Sequence, residues 1–208
     1  MKVACIDFEG VLVPEIWVSL AARTGIAELE LTTRDIPDYD ELMRHRLGIM
    51  AERGLVYNDI QAAAGALDPL PGARDFLDWL RAHYQVAIIS DTFHELAAPL
   101  VAKLGYPVIL CHTLDLDPAG RVQGYRLRQA DPKRHAVKAF QALNYRVVAT
   151  GDSYNDISML RQADTGMLFQ PSANVVRDHP DLPVARDYAE LQVMFGAALS
   201  GPPQASQS

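Results

Sequence analysis

Short apolar runs alternate with amphipathic segments along this chain, and the alternation predicts a parallel sheet covered by helices. In 73–83 the apolar residues recur at helical spacing, and Gly105 is placed to end the helix after the second run. Further along, 114–127 (LDLDPAGRVQGYRL) predicts a hairpin that turns at 117–120. The five runs with the length of buried strands are 3–7 (VACID), 85–90 (QVAIIS), 107–111 (PVILC), 146–151 (RVVATG) and 165–169 (TGMLF).

The segment 14–68 departs from this alternation and predicts a separate helical unit. It contains no strong strand and ends before the turn-like PLPG at 69–72. We therefore expect an α/β fold, with a Rossmann-like parallel-sheet core made of 1–13 and 69–196 and a helical cap, 14–68, inserted after the first strand. Beyond the core, 197–208 ends in SGPPQASQS and is expected to be a disordered tail.

Composition places the chain among soluble globular proteins of one domain, or of one domain with a smaller insertion. It has 208 residues, of which 49% are hydrophobic and 22% charged, and a formal net charge of −7. The acidic balance argues against non-specific binding to nucleic acid and favours a small molecule or a cation as partner. No run approaches the ~20 apolar residues of a membrane span. A homodimer remains open.

The two cysteines exclude some classes of enzyme. Cys5 and Cys111 lie within or at the end of apolar runs, so we expect buried, reduced thiols and a cytoplasmic location. They are too few for a four-cysteine zinc site. Neither is followed six residues later by arginine, which excludes a cysteine-based phosphatase. The chain also lacks the GxxxxGK[ST] loop of nucleotide kinases and the GxGxxG of dinucleotide enzymes.

Polar side chains collect where three of the predicted strands end. Asp7 and Glu9 follow the first run, 90–92 (SDT) closes the second, and 151–156 (GDSYND) closes the fourth. Open parallel sheets bind ligands beyond the carboxyl ends of their strands. We therefore expect these groups to meet at one edge of the sheet.

The acids at this edge require a compensating cation, because several carboxylates repel one another at low effective dielectric. Oxygen ligands without histidine or cysteine suit Mg²⁺ better than zinc. Lys133, at a predicted helix start, would add a positive charge, and the Ser90 and Thr92 hydroxyls would add neutral donors. Such a set of groups is typical of a site for a phosphoryl group. The acids are Asp7, Glu9, Asp152 and Asp156.

Two of these acids can take different catalytic roles in phosphoryl transfer. Asp7 could attack phosphorus and carry it as an aspartyl-phosphate. Glu9 could protonate the leaving alcohol and then deprotonate the attacking water. Residues two apart in the sequence face the same side only in an extended strand. The chain must therefore curl after Asp7 if both acids are to face the substrate.

The four segments DFEGV, ISDT, DPKR and GDSYND, in this order, resemble the four motifs of the haloacid-dehalogenase-type phosphatases. The resemblance implies that Asp7 is the nucleophile and a Mg²⁺ ligand, and that Glu9 is the acid/base, placed among the metal-associated acids. It implies that Asp152 is a further Mg²⁺ ligand, and that Asp156 either is associated with the metal or lies behind the metal ligands. The residues assigned to the phosphate and substrate are Ser90, Asp91, Thr92, Lys133 and Asn155.

The resemblance extends over about 3–195 and includes the predicted cap. VPEIW, TTRDIPDYD and MRHRLGIM are similar to a bacterial subgroup of phosphoserine phosphatases that also transfers the phosphoryl group to homoserine. This implies phosphoserine and homoserine as substrates. It also implies that Glu15 binds the substrate ammonium and Arg46 its carboxylate, which is chemically reasonable. Arg44 is the alternative to Arg46.

The chain departs from the family pattern at two site positions. Glu9 stands where the family usually has aspartate, and Asp91 stands where it usually has glycine. Two other functions stay open: a phosphatase for another small phosphomonoester, and a signalling receiver domain that is phosphorylated on aspartate as a switch. The histidines have no ligand spacing and are expected on surfaces or loops, namely His45, His94, His112 and His135.

Overall fold

In the computed structural model, which describes residues 1–32, 35–36 and 38–200, seven strands form one sheet in the order β4-β3-β2-β1-β5-β6-β7. Neighbouring strands are parallel except for the β3–β4 pair, which is antiparallel. The predicted Rossmann-like α/β core is thereby confirmed. The strands are β1 (Lys2–Ile6), β2 (Gln85–Phe93), β3 (Ile109–Leu116), β4 (Val122–Arg126), β5 (Arg146–Gly151), β6 (Thr165–Phe169) and β7 (Val184–Ala185).

Helices cover both faces of this sheet, because its central strands are apolar on both sides. Along β1, Ala4 and Ile6 pack into one hydrophobic cluster, whereas Val3 and Cys5 pack into the other. The helices within the described chain are α1 (Ile16–Thr24), α2 (Tyr39–Arg53), α3 (Tyr57–Ala66), α4 (Ala73–His83), α5 (His94–Lys103), α6 (Pro132–Ala142), α7 (Ile157–Gln162), α8 (Ala173–Asp178) and α9 (Tyr188–Leu199). Within the described residues, none of these helices combines the length and apolar character needed to cross a membrane.

Helices α1, α2 and α3, with a 3₁₀ turn at Ala27–Glu30, occupy the segment predicted as a cap. Gly25 and Gly54 end α1 and α2 in the left-handed conformation, which glycine adopts at little cost. The side chain of Asp38 caps α2 by accepting the Glu41 N–H at 2.8 Å. The described part of this segment is therefore rich in helix.

The strands next to the candidate site differ from the prediction in extent. β2 continues to Phe93, and its pairing with β3 shifts register between Ile89 and Phe93. Such an irregularity interrupts the ladder and redirects side chains, here those of the SDT segment. β3 also runs directly into the predicted hairpin and pairs with β4. At the turn, the Asp117 carboxylate accepts the Ala119 and Arg121 N–H groups at 2.8 and 2.9 Å.

The predicted disordered tail begins too early. α9 runs from Tyr188 to Leu199, so the first three residues of 197–208 are helical. The buried side chains of Leu191, Phe195 and Ala198 attach this helix to the core. Apolar residues at helical spacing therefore continue the fold past the predicted boundary. The remainder of the predicted tail, 201–208, lies outside the described residues.

Candidate active site

A small pocket at the carboxyl edge of the sheet brings the predicted strand-end residues together. It encloses about 70 Å³ between the ends of β1, β2 and β5, the start of α6 and the helices of the predicted cap. Of the predicted site residues, Asp156 does not line the pocket and is fully buried. The others all line it: Asp7, Glu9, Glu15, Arg46, Ser90, Asp91, Thr92, Lys133, Asp152 and Asn155.

A tight turn after β1 places Asp7 and Glu9 on the same pocket, as the required curl of the chain predicts. Its hydrogen bonds run from the Leu12 N–H to the Phe8 carbonyl at 2.8 Å and from the Gly10 N–H to the Val13 carbonyl at 2.9 Å. Gly10 has φ +78°, and a Cβ atom there would lie 2.6 Å from the Asp152 carboxylate. Only glycine therefore fits between the two acidic loops.

Lys133 lies at the centre of the acidic groups. Its Nζ is 2.9 Å from Asp7 Oδ1, 2.7 Å from Asp156 Oδ1 and 3.7 Å from Asp91 Oδ2. Burial by itself lowers the pKa of Lys133, but these three carboxylates raise it well above its usual value. The lysine therefore stays protonated and joins the loops after β1 and β5.

Three buried carboxylates form a candidate metal centre beside this lysine. One oxygen from each of Asp7, Asp152 and Asp156 lies within 4.8 Å of the other two. Burial raises the pKa of Asp7 well above its usual value, Asp156 raises it further, and Lys133 opposes both. The single ammonium group of Lys133 cannot compensate the charges of all three carboxylates. A divalent cation with oxygen ligands would compensate the remainder.

The two oxygens of Asp156 are also occupied by hydrogen bonds within the protein. Oδ2 accepts the backbone N–H groups of Asp152 at 3.0 Å and Ser153 at 3.1 Å, and Oδ1 accepts from Lys133. A Cβ atom at Gly151 would lie 2.2 Å from the Asp156 Cγ, so this loop requires glycine. These contacts favour a position of Asp156 behind the metal ligands. This is one of the two positions that the family resemblance implies for it.

The carboxylate of Glu9 lines the pocket but is not one of the three clustered acids. Its Oε2 accepts the backbone N–H of Ile16 at 3.0 Å, at the start of α1. Glu9 is outside the group of side chains in the described residues that approach one another closely enough to share an ion. The geometry therefore gives no support to Glu9 as a side-chain metal ligand, although it keeps this acid at the pocket.

The helices of the predicted cap contribute a buried guanidinium to the pocket. Arg46 lies 4.7 Å above the Trp17 ring, and its Nη2 donates to the Leu31 carbonyl at 2.8 Å. Its Nε is buried without a hydrogen-bond partner among the described residues. Glu15 lines the same pocket. Arg44, the alternative to Arg46, is exposed and donates from Nε to the carbonyl of Asp40.

Asp91, Ser90 and Thr92 are presented by the irregular end of β2. The Thr92 N–H donates to Ser90 Oγ at 3.2 Å, and Asn155 Nδ2 donates to Asp91 Oδ2 at 2.8 Å. Burial alone would raise the pKa of Asp91, but the Lys133 charge and hydrogen bonds from His112 and Asn155 lower it to about 2. Asp91 is therefore ionised at any ordinary pH.

Two residues of this region were missed from sequence. His112 is buried, with Nε2 3.5 Å from Asp91 Oδ1, so the prediction that it lies on a surface or loop is wrong. The alternation along β3 is the signal that would place it on the same side as buried Leu114. Tyr39 is the second: its hydroxyl donates to the Asp91 carbonyl at 2.7 Å and joins α2 to the end of β2.

Comparison with known proteins identifies relatives that span nearly the whole chain. Phosphoserine phosphatase ThrH of Pseudomonas aeruginosa is 54% identical over 200 residues, covering 96% of this chain and 98% of its own. A phosphoserine phosphatase of Pseudomonas syringae pv. tomato is 53% identical over 195 residues, covering 94% of this chain and 82% of its own.

A solved structure shares the fold at lower sequence identity. The structure described as a phospho-aspartyl intermediate analogue of phosphoserine phosphatase superposes with a TM-score of 0.75 at 21% identity, covering 92% of this chain and 97% of that chain. The family model for haloacid dehalogenase-like hydrolases matches residues 1–164, which include the four segments DFEGV, ISDT, DPKR and GDSYND. The chain belongs to the haloacid dehalogenase-like hydrolase family.

Proposed function

We propose that this protein is a Mg²⁺-dependent phosphoserine phosphatase that forms an aspartyl-phosphate on Asp7 and also transfers the phosphoryl group to homoserine. The observation that carries the proposal is the meeting, in one pocket, of the buried Asp7–Lys133 pair with Arg46 and Glu15 on the cap side. The Asp7–Lys133 pair is suited to phosphoryl transfer, and Arg46 and Glu15 are suited to binding an amino acid. The names of the two relatives at 54% and 53% identity support this substrate.

In the first step, an oxygen of Asp7 attacks phosphorus and the bond from phosphorus to the serine oxygen breaks. Lys133 and the Ser90 hydroxyl hold phosphoryl oxygens, and backbone N–H groups after Asp7 other than those bonded within the turn supply further donors. Glu9 gives its proton to the departing serine oxygen, so the leaving group departs as an alcohol. The product is serine, with the phosphoryl group held on Asp7.

In the second step, a hydroxyl group attacks the phosphorus on Asp7 and the Asp7 carboxylate is regenerated. Glu9, now ionised, takes the proton of the attacking hydroxyl. With water the product is inorganic phosphate, and with the homoserine hydroxyl it is phosphohomoserine. The same residues serve both outcomes, because only the attacking oxygen differs.

The residues present fit Mg²⁺. Asp7 and Asp152 would hold the ion through carboxylate oxygens, with Asp156 behind them, and the close approach at Gly10 keeps their loops together. When bound, the ion neutralises phosphoryl oxygens and stabilises the ionised form of Asp7. Without a cation, the raised pKa of Asp7 favours the protonated acid, which is a poor nucleophile.

The amino-acid end of the substrate would be bound by residues of helices α1–α3, which we propose form the cap over the core. Arg46 is suited to a carboxylate, because its buried Nε has no partner among the described residues and Trp17 fixes its plane. Glu15, at the start of α1, is suited to the ammonium group. Homoserine carries the same two groups, so one pocket can accept it after serine has left.

Arg46→Ala is expected to raise KM for phosphoserine by roughly 10- to 100-fold, because a charge-assisted hydrogen bond to the substrate carboxylate is lost. The fall in kcat should be smaller. Steady-state kinetics measure both. The matched control is Arg44→Ala, two positions away on the same helix and exposed, for which KM should not change. An unchanged KM for Arg46→Ala would rule out its role in carboxylate binding.

The proposed function is tested by incubating the purified chain with phosphoserine and Mg²⁺, with and without homoserine, and following products by ³¹P NMR. Steady phosphate release is expected, with phosphohomoserine appearing only when homoserine is present. If free phosphate is the only product, the transferase half is wrong. If another small phosphomonoester is turned over and phosphoserine is not, the substrate is wrong.

The receiver-domain alternative predicts a different result in the same experiment. A receiver would be phosphorylated once and would not turn over. The small pocket with an amino-acid anchor on its cap side favours an enzyme, because a switch has no need to bind an alcohol. One phosphate per chain and no further release would favour the receiver.

A further inference from the structure

Asp91 lines two cavities, as do Tyr39, Lys133 and Asn155. It lines the 70 Å³ pocket described above, and it also lines a larger chamber of about 580 Å³ whose wall includes His112, Leu127 and Pro132. The Asp91 side chain remains 21% exposed. The carboxylate therefore borders both cavities, and its Oδ2 lies 3.7 Å from the Lys133 Nζ. The family resemblance implies a glycine at this position, so the charge of Asp91 requires an explanation of its own.

His112 holds this carboxylate in one orientation. The Arg128 N–H donates to His112 Nδ1 at 3.2 Å, so Nδ1 carries no proton and the ring proton is on Nε2. That Nε2 faces Asp91 Oδ1 at 3.5 Å. A second donor, Asn155 Nδ2, binds Oδ2 at 2.8 Å. Two neutral donors on two different elements thus fix the charge at the edge of the pocket without cancelling it.

Lys133 connects Asp91 to the phosphoryl site. An ammonium group has three N–H donors, and Asp7 and Asp156 take two of them at 2.9 and 2.7 Å. The third carboxylate around Lys133, that of Asp91, lies at 3.7 Å, beyond hydrogen-bond distance. A phosphoryl oxygen that binds Lys133 must take this third donor, and it then lies next to a fixed negative charge.

We propose that Asp91 is a specificity-determining residue that weakens the binding of inorganic phosphate, and that His112 and Asn155 position it for this role. The proposal rests on the proposed phosphatase function. The repulsion acts on every phosphate that binds Lys133, but a phosphorylated amino acid has two further anchors in Arg46 and Glu15. Inorganic phosphate has neither anchor. The charge therefore favours release of the product while the substrate still binds.

The test is competitive inhibition by inorganic phosphate, with Mg²⁺ present, in the wild type and in Asp91→Asn. The inhibition constant of inorganic phosphate is expected to be lower in Asp91→Asn by about tenfold or more. Unit charges a few ångström apart in a protein site interact by more than the ~1.4 kcal/mol that corresponds to tenfold. Asp91→Gly, which removes the side chain altogether, should shift the constant in the same direction. Asp115→Asn, an exposed acid paired with Arg126 on the hairpin, is the matched control and should leave it unchanged.

Inhibition by L-serine separates a charge effect from a distorted pocket. Serine carries the amino-acid anchors without the phosphate, so its inhibition constant should be the same in the wild type and in Asp91→Asn. If phosphate inhibition is unchanged in both Asp91 variants, or if serine and phosphate shift together, the proposal is overturned. A wild type that does not hydrolyse phosphoserine would overturn the proposed function and this inference with it. A wild type that hydrolyses phosphoserine, with an unshifted phosphate constant in the variants, overturns this inference alone.

Discussion

Asp7→Asn is expected to abolish turnover of phosphoserine and to leave no phosphorylated protein. An amide cannot replace the carboxylate as the attacking group, and removing a covalent nucleophile costs on the order of 10⁴-fold or more in kcat. We expect this to be the largest of the effects predicted for this site. The Asp7 side chain is the only predicted nucleophile within the described residues that is in contact with Lys133, at 2.9 Å, and also part of the acidic cluster. Phosphate release and acid-quenched labelling of the protein measure the two outcomes.

The loss in Asp7→Asn should not come from unfolding. Burial and Asp156 raise the pKa of Asp7 in the folded protein, which means that its charge is unfavourable there in the absence of a cation. Removing the charge should therefore leave the free energy of unfolding equal to or higher than that of the wild type. Lys133 keeps Asp156 as a partner at 2.7 Å. Phosphate trapped on any other residue of the wild type would contradict the assignment.

Lys133→Met is expected to lower both activity and stability. It removes the only buried ammonium that the described residues place among Asp7, Asp91 and Asp156. Breaking a buried ion pair from one side typically costs about 3–5 kcal/mol, because the remaining charges stay buried without compensation. Activity should fall on the order of 10³-fold or more, since the phosphoryl group loses its cationic ligand as well. Urea unfolding without metal and steady-state kinetics give the two values.

The control for Lys133→Met is Lys138→Met, on the exposed side of the same helix α6. This variant makes the same change in size and charge, but leaves the acidic cluster intact. Its stability and activity should match the wild type, because surface substitutions of this kind usually change stability by less than about 0.5 kcal/mol. Equal unfolding free energies for the two variants would mean that Lys133 is not the main compensating charge.

Elements with strong local periodicity were predictable from the sequence. β5 (Arg146–Gly151), β6 (Thr165–Phe169) and α4 (Ala73–His83) have the bounds that the apolar pattern predicts. Their residues pack on the core with the period of the element itself, so a local pattern carries the information. The short strand β7 and the extension of β2 to Phe93 have no such pattern. They exist because a neighbouring strand supplies hydrogen bonds to them.

The contacts between strand ends were not predictable to the same degree. Asp91 could be singled out from the sequence, but His112 lies 21 positions further along and reaches it only through the parallel register of β2 and β3. The choice between Arg44 and Arg46 is similar. Both lie on α2, but Arg44 is exposed, whereas Arg46 is buried over the Trp17 ring.

The order of the chain alone determined that acids and a hydroxyl pair lie at the ends of three parallel strands and that a lysine begins a helix, because parallel strands carry their carboxyl ends to one edge whatever the details of packing. Tertiary structure alone decided which atoms meet there. It directed the Glu9 side chain to the Ile16 N–H, enclosed both oxygens of Asp156 in hydrogen bonds, and set Asp91 against His112. Those contacts depend on strand register and side-chain direction between segments far apart in the chain, which no local pattern of residues contains.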